Sequence, residues 1–243
     1  GFLAISGPTL AYSFLIGCYV VGLFVLLRVP DREPEVSDEV EPSSVLKDII
    51  YGISYVWRSP TLRGIFLTTV AINFCIAPYF QLTPVFAKEV FDVGPGMLGL
   101  VSGMDGLGAL FATFILASFA GLSRLGVVFV AGSLVFGAGV LLFSQAPVYQ
   151  LAIPALIIVG AGTAGFAAMQ TTITVTVAEP QMRGRAMGAV ALGIGVLPLG
   201  MAFVGGLAEW LGTPQALGFT SLIGVVLIAI VVLLQPDLRR VRQ

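Results

Sequence analysis

The chain has 243 residues, of which 57% are apolar and only 10% are charged, and its mean hydropathy is +1.01. An average soluble domain is about 25% charged, so this composition excludes a lone water-soluble globule. The net charge of −1 gives no indication of nucleic acid as a partner. Because histidine is absent, haem ligation by His, His-based zinc sites and Ser-His or Cys-His catalysis are excluded. We expect no enzyme, no cofactor and no metal.

Long uncharged apolar runs indicate helices that cross a lipid bilayer. At ~1.5 Å per residue, each run is long enough to span the ~30 Å hydrocarbon layer. The sequence therefore predicts an all-α polytopic membrane protein with seven transmembrane helices. These spans lie, in chain order, near residues 8–27, 62–86, 97–119, 126–144, 148–177, 187–211 and 216–234.

Basic residues predict the orientation of the spans. The connections after spans one, three and five, together with the carboxyl-terminal tail, hold eleven of the twelve Lys and Arg residues, and the other connections hold only Lys88. Lys and Arg concentrate in cytoplasmic loops. We therefore expect a multi-pass protein of the cell (inner) membrane whose carboxyl terminus is cytoplasmic.

A polar segment separates the first span from the other six. Residues 29–44 contain three prolines and seven charged residues, a composition that cannot bury a core and predicts a solvated linker. Apolar residues at helical spacing between Leu46 and Trp57 then predict an amphipathic helix on the inner membrane face, and Pro60 is expected to start the next span. We divide the chain into a first helix (1–28), a linker with its helix (29–61), a six-helix block (62–234) and a tail (235–243).

Two stretches carry a family resemblance. GISYVWRSPTLR (52–63), followed by LTPVFAKEVFDVGPGMLGLVSGMDGLGAL (82–110), resembles the linker helix and the seventh and eighth helices of a major facilitator superfamily exporter. EPQMRGRAMGAVALGIGVLPLGMAFVGGLAEWLG (179–212) resembles the loop and eleventh helix of the branch that includes bacterial siderophore and macrolide efflux carriers. The resemblance implies helices six to twelve of a twelve-helix carrier, with 62–234 as its second six-helix bundle.

The resemblance also implies a function. It indicates a secondary active transporter that exports a small compound, with protons, the lipid bilayer and a missing amino-terminal helical bundle as partners. Because the spans offer few charged groups to a ligand, we expect a lipophilic substrate. The start of the chain, GFLAISG, has neither an initiator Met nor a basic signal region, so we interpret the chain as a piece of a longer protein. A non-transporting membrane subunit or an inactive fragment is the alternative.

Asp105 is the charged residue of the third span. By helical rise it lies ~12 Å below the outer boundary, where a carboxylate is costly and should face a water-filled cavity or a partner. A carboxyl group in that place can alternate between protonated and ionised forms, which proton coupling requires. Alternatively, it bonds to the backbone or to a hydroxyl of a closely packed neighbour. Glu209, beside Trp210 at the outer end of the sixth span, is interpreted as a boundary residue.

Polar residues of the spans and loops complete the predicted site. Asn73 lies near the bilayer midplane, and Gln81 follows about 80° round the same helix, close enough to share a broad face. The substrate cavity candidates are Asn73, Gln81, Gln170 and Thr171, and their alternative role is hydrogen bonding to adjacent helices. The candidates for a cytoplasmic gate are Arg124, Glu179, Arg183 and Arg185, and orientation in the membrane alone would also explain these charges.

Overall fold

A computed structural model describes residues 8–28, 45–118 and 124–241 of the chain. Within these ranges every regular element is a helix, which confirms the all-helical prediction. The α-helices are α1 (Pro8–Leu26), α2 (Val45–Arg58), α3 (Pro60–Ala71), α4 (Tyr79–Val85), α5 (Pro95–Ser118), α6 (Leu125–Ser144), α7 (Tyr149–Val177), α8 (Arg183–Ile194), α9 (Leu197–Leu211), α10 (Thr213–Leu234) and α11 (Asp237–Arg240). Two π-helical turns (Ile72–Ile76 and Phe86–Val90) and a 3₁₀ turn (Pro180–Met182) connect some of them.

Six helical segments of the described chain are long and apolar enough to cross a membrane. A shorter apolar stretch in α1, Tyr12–Leu26, precedes them, and its side chains are all exposed. The polytopic membrane fold predicted from the apolar runs is therefore confirmed. The six segments are Pro60–Val90, Gly96–Ser118, Leu125–Ser144, Tyr149–Val177, Pro180–Leu211 and Thr213–Leu234.

The first of these segments starts where the sequence predicts. The hydroxyl of Ser59 accepts a hydrogen bond from the backbone N–H of Leu62 at 3.4 Å, so it caps the amino end of α3. Pro60 occupies the first turn, where a missing N–H costs nothing.

Two of the six segments are interrupted. In Pro60–Val90, the N–H of Ala77 reaches back to the carbonyl of Ile72 at 2.8 Å and forms a π turn, immediately before Pro78, which has no N–H to continue the α-helical ladder. In Pro180–Leu211, α8 ends at Ile194 and α9 begins at Leu197. Pro198 lies in the first turn of α9. Each of the two breaks therefore has a proline beside it.

The two interruptions lie against each other. A Cβ atom on Gly200 would approach the carbonyl oxygens of Phe74 and Asn73 to 2.5 and 2.7 Å, so a larger residue would push α9 away from the π turn. The ring of Phe203 stacks on that of Phe74, with centroids 5.3 Å apart. Irregular backbone in a membrane is tolerated where protein covers it, and the π turn is covered in this way, since four of its five residues are buried.

Small residues bring the other helices close together. A Cβ on Gly108 of α5 would overlap the carbonyl of Ile157 on α7, and one on Gly162 of α7 would overlap the backbone of Phe136 on α6. Without side chains at these points, the helices pack backbone to backbone, as is common in membranes. The sequence shows glycines in these spans, but the backbone that each glycine contacts depends on the tertiary structure.

The segment after α10 folds back onto the bundle. The guanidinium of Arg63 donates to Gln235 Oε1 at 3.1 Å, and the side chain of Leu238 is fully buried at 3.3 Å from the Cβ position of Gly64. The N–H of Gly126, at the start of α6, donates to the carbonyl of Val241 at 3.3 Å. Residues 235–241 therefore join the starts of α3 and α6 at one end of the bundle.

Candidate functional site

Asp105 and Tyr79 form a side-chain pair between α5 and α4. The phenol of Tyr79 donates a hydrogen bond to Asp105 Oδ2 at 2.9 Å. The Tyr79 side chain is buried, and Phe136 of α6 fixes its ring edge-on at a centroid distance of 5.8 Å. Asp105 itself is half-buried. No Lys or Arg of the described residues forms an ion pair with Asp105, so the phenol is the polar group that holds it.

A small cavity opens beside this pair. It has a volume of about 130 Å³, and α4, α5 and α7 all contribute to its walls. Asp105 therefore lies at a cavity and also bonds to a hydroxyl, which are the two environments that the sequence leaves open for it. The lining residues include Tyr79, Phe80, Thr83, Ser102, Asp105 and Leu156.

Asn73 and Gln170 come together through Thr69. The Gln170 amide donates to Thr69 Oγ1 at 2.5 Å, and the Asn73 amide donates to the Thr69 carbonyl at 2.9 Å. The Thr69 hydroxyl in turn donates to the carbonyl of Ile65 at 2.8 Å. All three polar residues are buried, Asn73 and Gln170 being 7% and 6% exposed and Thr69 fully buried. Their geometry is a hydrogen-bonded connection between helices.

Sequence reasoning missed Thr69. Its hydroxyl joins the first interrupted segment to α7, although the sequence offers only a weak signal for it. Thr69 lies four residues before Asn73, which is one helical turn along the same face. Two polar residues at that spacing indicate a polar face on the helix. They do not identify the neighbouring helix that this face contacts.

Gln81 and Thr171 are exposed. Gln81 is exposed whereas Asn73 is buried, although the sequence predicts that they share one broad face. The π turn Ile72–Ile76 and Pro78 interrupt the regular helix between the two residues. The Thr171 hydroxyl bonds at 3.4 Å to the carbonyl of Ala167 in its own helix.

Arg185 of the gate candidates contacts the linker helix. Its guanidinium lies over the ring of Tyr51 in α2, 5.1 Å from the centroid. The N–H of Glu179 donates to the phenol oxygen of Tyr55 at 3.1 Å. A Cβ on Gly52 would lie 2.8 Å from the carbonyl oxygen of Arg185, so α2 rests directly on the first turn of α8.

The other gate candidates have exposed side chains. This holds for Arg124 at the start of α6, for Glu179 and for Arg183. Among the residues that the structure describes, Glu179 makes no ion pair with either arginine of its turn. A groove of about 550 Å³ opens at this end of the bundle, and its walls include Ile49, Gly184 and Gly188.

Metal ligands do not cluster in the described part of the chain, where no three Cys, Asp or Glu side chains come together.

Comparisons with known proteins agree with this architecture. The chain is similar in fold to a POT family transporter crystallised with 5-aminolevulinic acid, with a TM-score of 0.59 and 14% identity over 94% of this chain and 54% of that one. It is also similar to a POT family transporter in complex with a thioalcohol-conjugated peptide, with a TM-score of 0.56 and 15% identity over 94% and 54%. Identities this low show the fold alone.

A third solved structure is a bacterial homolog of the human lysosomal transporter Spinster, in an inward-facing and unoccupied conformation. Its TM-score is 0.53 and its identity 16%, over 91% of this chain and 56% of that one. The chain thus spans about half the length of the structures that it matches. A comparison with curated proteins finds no significant match.

The whole chain, residues 1–243, matches the family described as transmembrane secretion effector. The match agrees with the resemblance found in the linker helix and in the loop before α8, and with the six long apolar helices. The chain belongs to the transmembrane secretion effector family of the major facilitator superfamily.

Proposed function

We propose that this chain is the carboxyl-terminal part of a secondary active transporter that exports a small lipophilic compound in exchange for protons. Residues 62–234 form the second six-helix bundle, and residues 1–28 are the last helix of the first bundle. Family membership and a length about half that of the matched transporters support this arrangement. The amino-terminal bundle completes the substrate path.

The pairing of Asp105 with Tyr79 is the observation that carries the proposal of proton coupling. An ionised carboxylate accepts a hydrogen bond from the phenol, as in the present geometry. A protonated carboxyl group has its own O–H to donate, and a phenol can both donate and accept. Asp105 therefore has a hydrogen-bond partner in both protonation states, as acceptor from Tyr79 when ionised and as donor to it when protonated.

Contacts at one end of the bundle support a cytoplasmic carboxyl terminus. Arg63 bonds to Gln235, and Arg185 lies over Tyr51, so basic segments far apart in sequence gather at the same end. Lys and Arg favour the cytoplasmic side. The positive-inside rule expects loops rich in Lys and Arg to lie on the same side of the membrane, and this arrangement agrees with it.

The coupling role is tested by Asp105→Asn in the full-length protein, reconstituted in vesicles with an imposed pH gradient. Loss of a group that transfers protons costs ~100-fold or more, so pH-driven efflux of a lipophilic dye should fall by that factor while insertion stays normal. Glu209→Gln, which neutralises an exposed acid at the end of α9, is the matched control and should retain transport. Equal coupling in the two variants would remove Asp105 from this role.

The alternative, a non-transporting membrane subunit, predicts no flux even for the unaltered full-length protein.

Orientation is tested separately by single cysteines in a variant that lacks Cys18 and Cys75. Arg183→Cys should react with an impermeant thiol reagent from the cytoplasmic side and Lys88→Cys from the opposite side. Labelling of both positions from one side would overturn the threading.

A further inference from the structure

We propose that an anionic phospholipid binds, through its phosphate group, to three arginines at the end of the bundle where residues 235–241 fold back. These are Arg63 at the start of α3, Arg124 immediately before α6 and Arg239 in α11, and we call them the arginine cluster. None of them lines the cavity beside Asp105, and the inference depends neither on proton coupling nor on the exported compound.

The segment after α10 brings the cluster together. Leu238 packs against Gly64 at the start of α3, and the α-carbon of the next residue, Arg239, lies 3.2 Å from the Cβ position of Gly126 at the start of α6. The segment therefore spans the gap between the two helix starts, and the other two arginines of the cluster lie at those starts.

The charges of the cluster are uncompensated. In the part of the chain that the structure describes, the carboxylate of Asp237 pairs with Arg240 at 3.7 Å and with no member of the cluster. The protein partner of Arg63 is the uncharged amide oxygen of Gln235. Like charges held at one end of a protein repel each other, and basic sites between membrane-spanning helices bind the head groups of anionic lipids. An anion at this end would offset the repulsion.

Arg63 is the member of the cluster that most needs a counter-charge. Its side chain is half-buried, and its Nε atom is buried without a hydrogen-bond partner among the described residues. Burying a charged group is costly unless it is paired. Nη2 is already bonded to Gln235, which fixes the orientation of the guanidinium and leaves Nη1 for a ligand oxygen. A guanidinium forms charge-assisted hydrogen bonds with phosphate.

The surface next to the cluster favours a lipid over a free anion. Leu234, the residue before Gln235, is exposed at the end of α10, and Val127 is exposed in the first turn of α6. Both helices are long and apolar enough to cross a membrane, so these side chains can contact acyl chains. Trp57, half-exposed in α2 and packed edge-on against Phe66 of α3, belongs to a residue type that favours the head-group level.

The experiment compares two lipids that differ only in the head group. Binding of tritiated dioleoylphosphatidylglycerol, which is anionic, and of tritiated dioleoylphosphatidylcholine, which is zwitterionic, is measured by scintillation proximity on the purified full-length protein in a neutral detergent. The anionic lipid should bind ~10-fold more tightly or better. Equal affinities of the two lipids would overturn the proposal.

Arg239→Gln tests the cluster without disturbing the core, because the Arg239 side chain is exposed. Binding of phosphatidylglycerol should weaken by ~5-fold, the effect of removing one basic group near a lipid head group, while binding of phosphatidylcholine should stay the same. Arg183→Gln is the matched control, since it removes an exposed arginine of α8 that lies outside the cluster. An equal loss in both variants would show that overall charge and not this site attracts the lipid.

Arg63→Gln tests the half-buried member through stability. A ligand that binds only the folded protein raises its melting temperature, so phosphatidylglycerol should raise the melting temperature of the unaltered protein more than that of this variant. The same rise in both proteins would remove Arg63 from the site and contradict the proposal.

Inorganic phosphate distinguishes the lipid from a free anion. Added at the same ionic strength as a sodium chloride control, it should displace no more phosphatidylglycerol than the chloride does. Stronger displacement by phosphate would assign the arginines to a soluble anion and overturn the lipid site.

Discussion

The α-carbon of Gly160 on α7 lies directly against the backbone carbonyl of Asp105 on α5. A Cβ atom at Gly160 would overlap that oxygen and would approach the backbone nitrogen of Ala109 to 2.7 Å. The two helices are therefore in backbone contact at the residue that carries the carboxyl group. The position of Asp105 relative to Tyr79 depends on this close approach.

We expect Gly160→Ala to separate α5 from α7 locally. Overpacking at such a contact costs about 1 to 3 kcal/mol, and the hydrogen bond of 2.9 Å between Tyr79 and Asp105 should lengthen with the separation. The apparent melting temperature in detergent should fall, and pH-driven transport should fall with it. Gly103→Ala is the control on α5, since a Cβ there meets nothing within 4 Å. Equal melting temperatures for the two variants would contradict the backbone contact.

We expect Thr69→Val to weaken the connection between α3 and α7. The replacement has nearly the same shape but removes the acceptor of the Gln170 amide, which then stays buried without its partner. Interhelical hydrogen bonds in membrane bundles contribute about 0.6 to 2 kcal/mol each, and thermal unfolding in detergent should report a loss in that range.

Thr171→Val is the control for that variant. The Thr171 hydroxyl bonds only within its own helix and is exposed, so unfolding should change little. A larger effect at position 171 than at position 69 would show that the cluster around Gln170 contributes nothing to stability.

We expect Tyr51→Leu to loosen the linker helix α2. The change removes the ring under the Arg185 guanidinium, and an exposed cation–π contact contributes ~0.5 to 1 kcal/mol. Undocking of α2 should increase ~2- to 5-fold, measured as the rate of tryptic cleavage at Arg58. Tyr51→Phe keeps the ring and should cleave like the unaltered protein. Similar acceleration in both variants would mean that the phenol oxygen, not the ring, holds the helix.

We expect Leu238→Ala to release the segment that follows α10. The Leu238 side chain is fully buried, and truncation of a buried leucine to alanine costs about 2 to 5 kcal/mol. Leu234→Ala is the control, because Leu234 is 71% exposed. Hydrogen exchange of the amide of Gly126, which bonds to Val241, should accelerate only in the first variant. Unchanged exchange would show that the segment does not hold α6.

The sequence predicted the long helices well because their signals are local. Uncharged apolar runs place the six long segments, and Pro60 marks the start of α3 in both the prediction and the structure. The break between α8 and α9 has a local signal too, since Pro198 lies next to it. Pro180–Leu211 is still one segment of membrane-spanning length, as the apolar run predicts, and the proline bends it.

The candidate site was predicted less completely. Asp105 stands out in an uncharged tract, but its partner Tyr79 is 26 residues away on another element, and no spacing rule connects them. Asn73 and Gln170 were both selected as polar residues inside spans. Their junction at Thr69 depends on which faces of two helices meet, and glycine contacts elsewhere in the bundle fix those faces.

Composition and charge by themselves determined that this protein is helical, that it threads a bilayer and where most of its spans lie, because transfer of apolar residues into lipid depends on each segment alone. The tertiary structure decided which polar groups meet, how α2 and the segment after α10 close one end, and that a phenol holds the carboxyl group. These depend on interhelical distances, which are set by pairs of residues far apart in the chain.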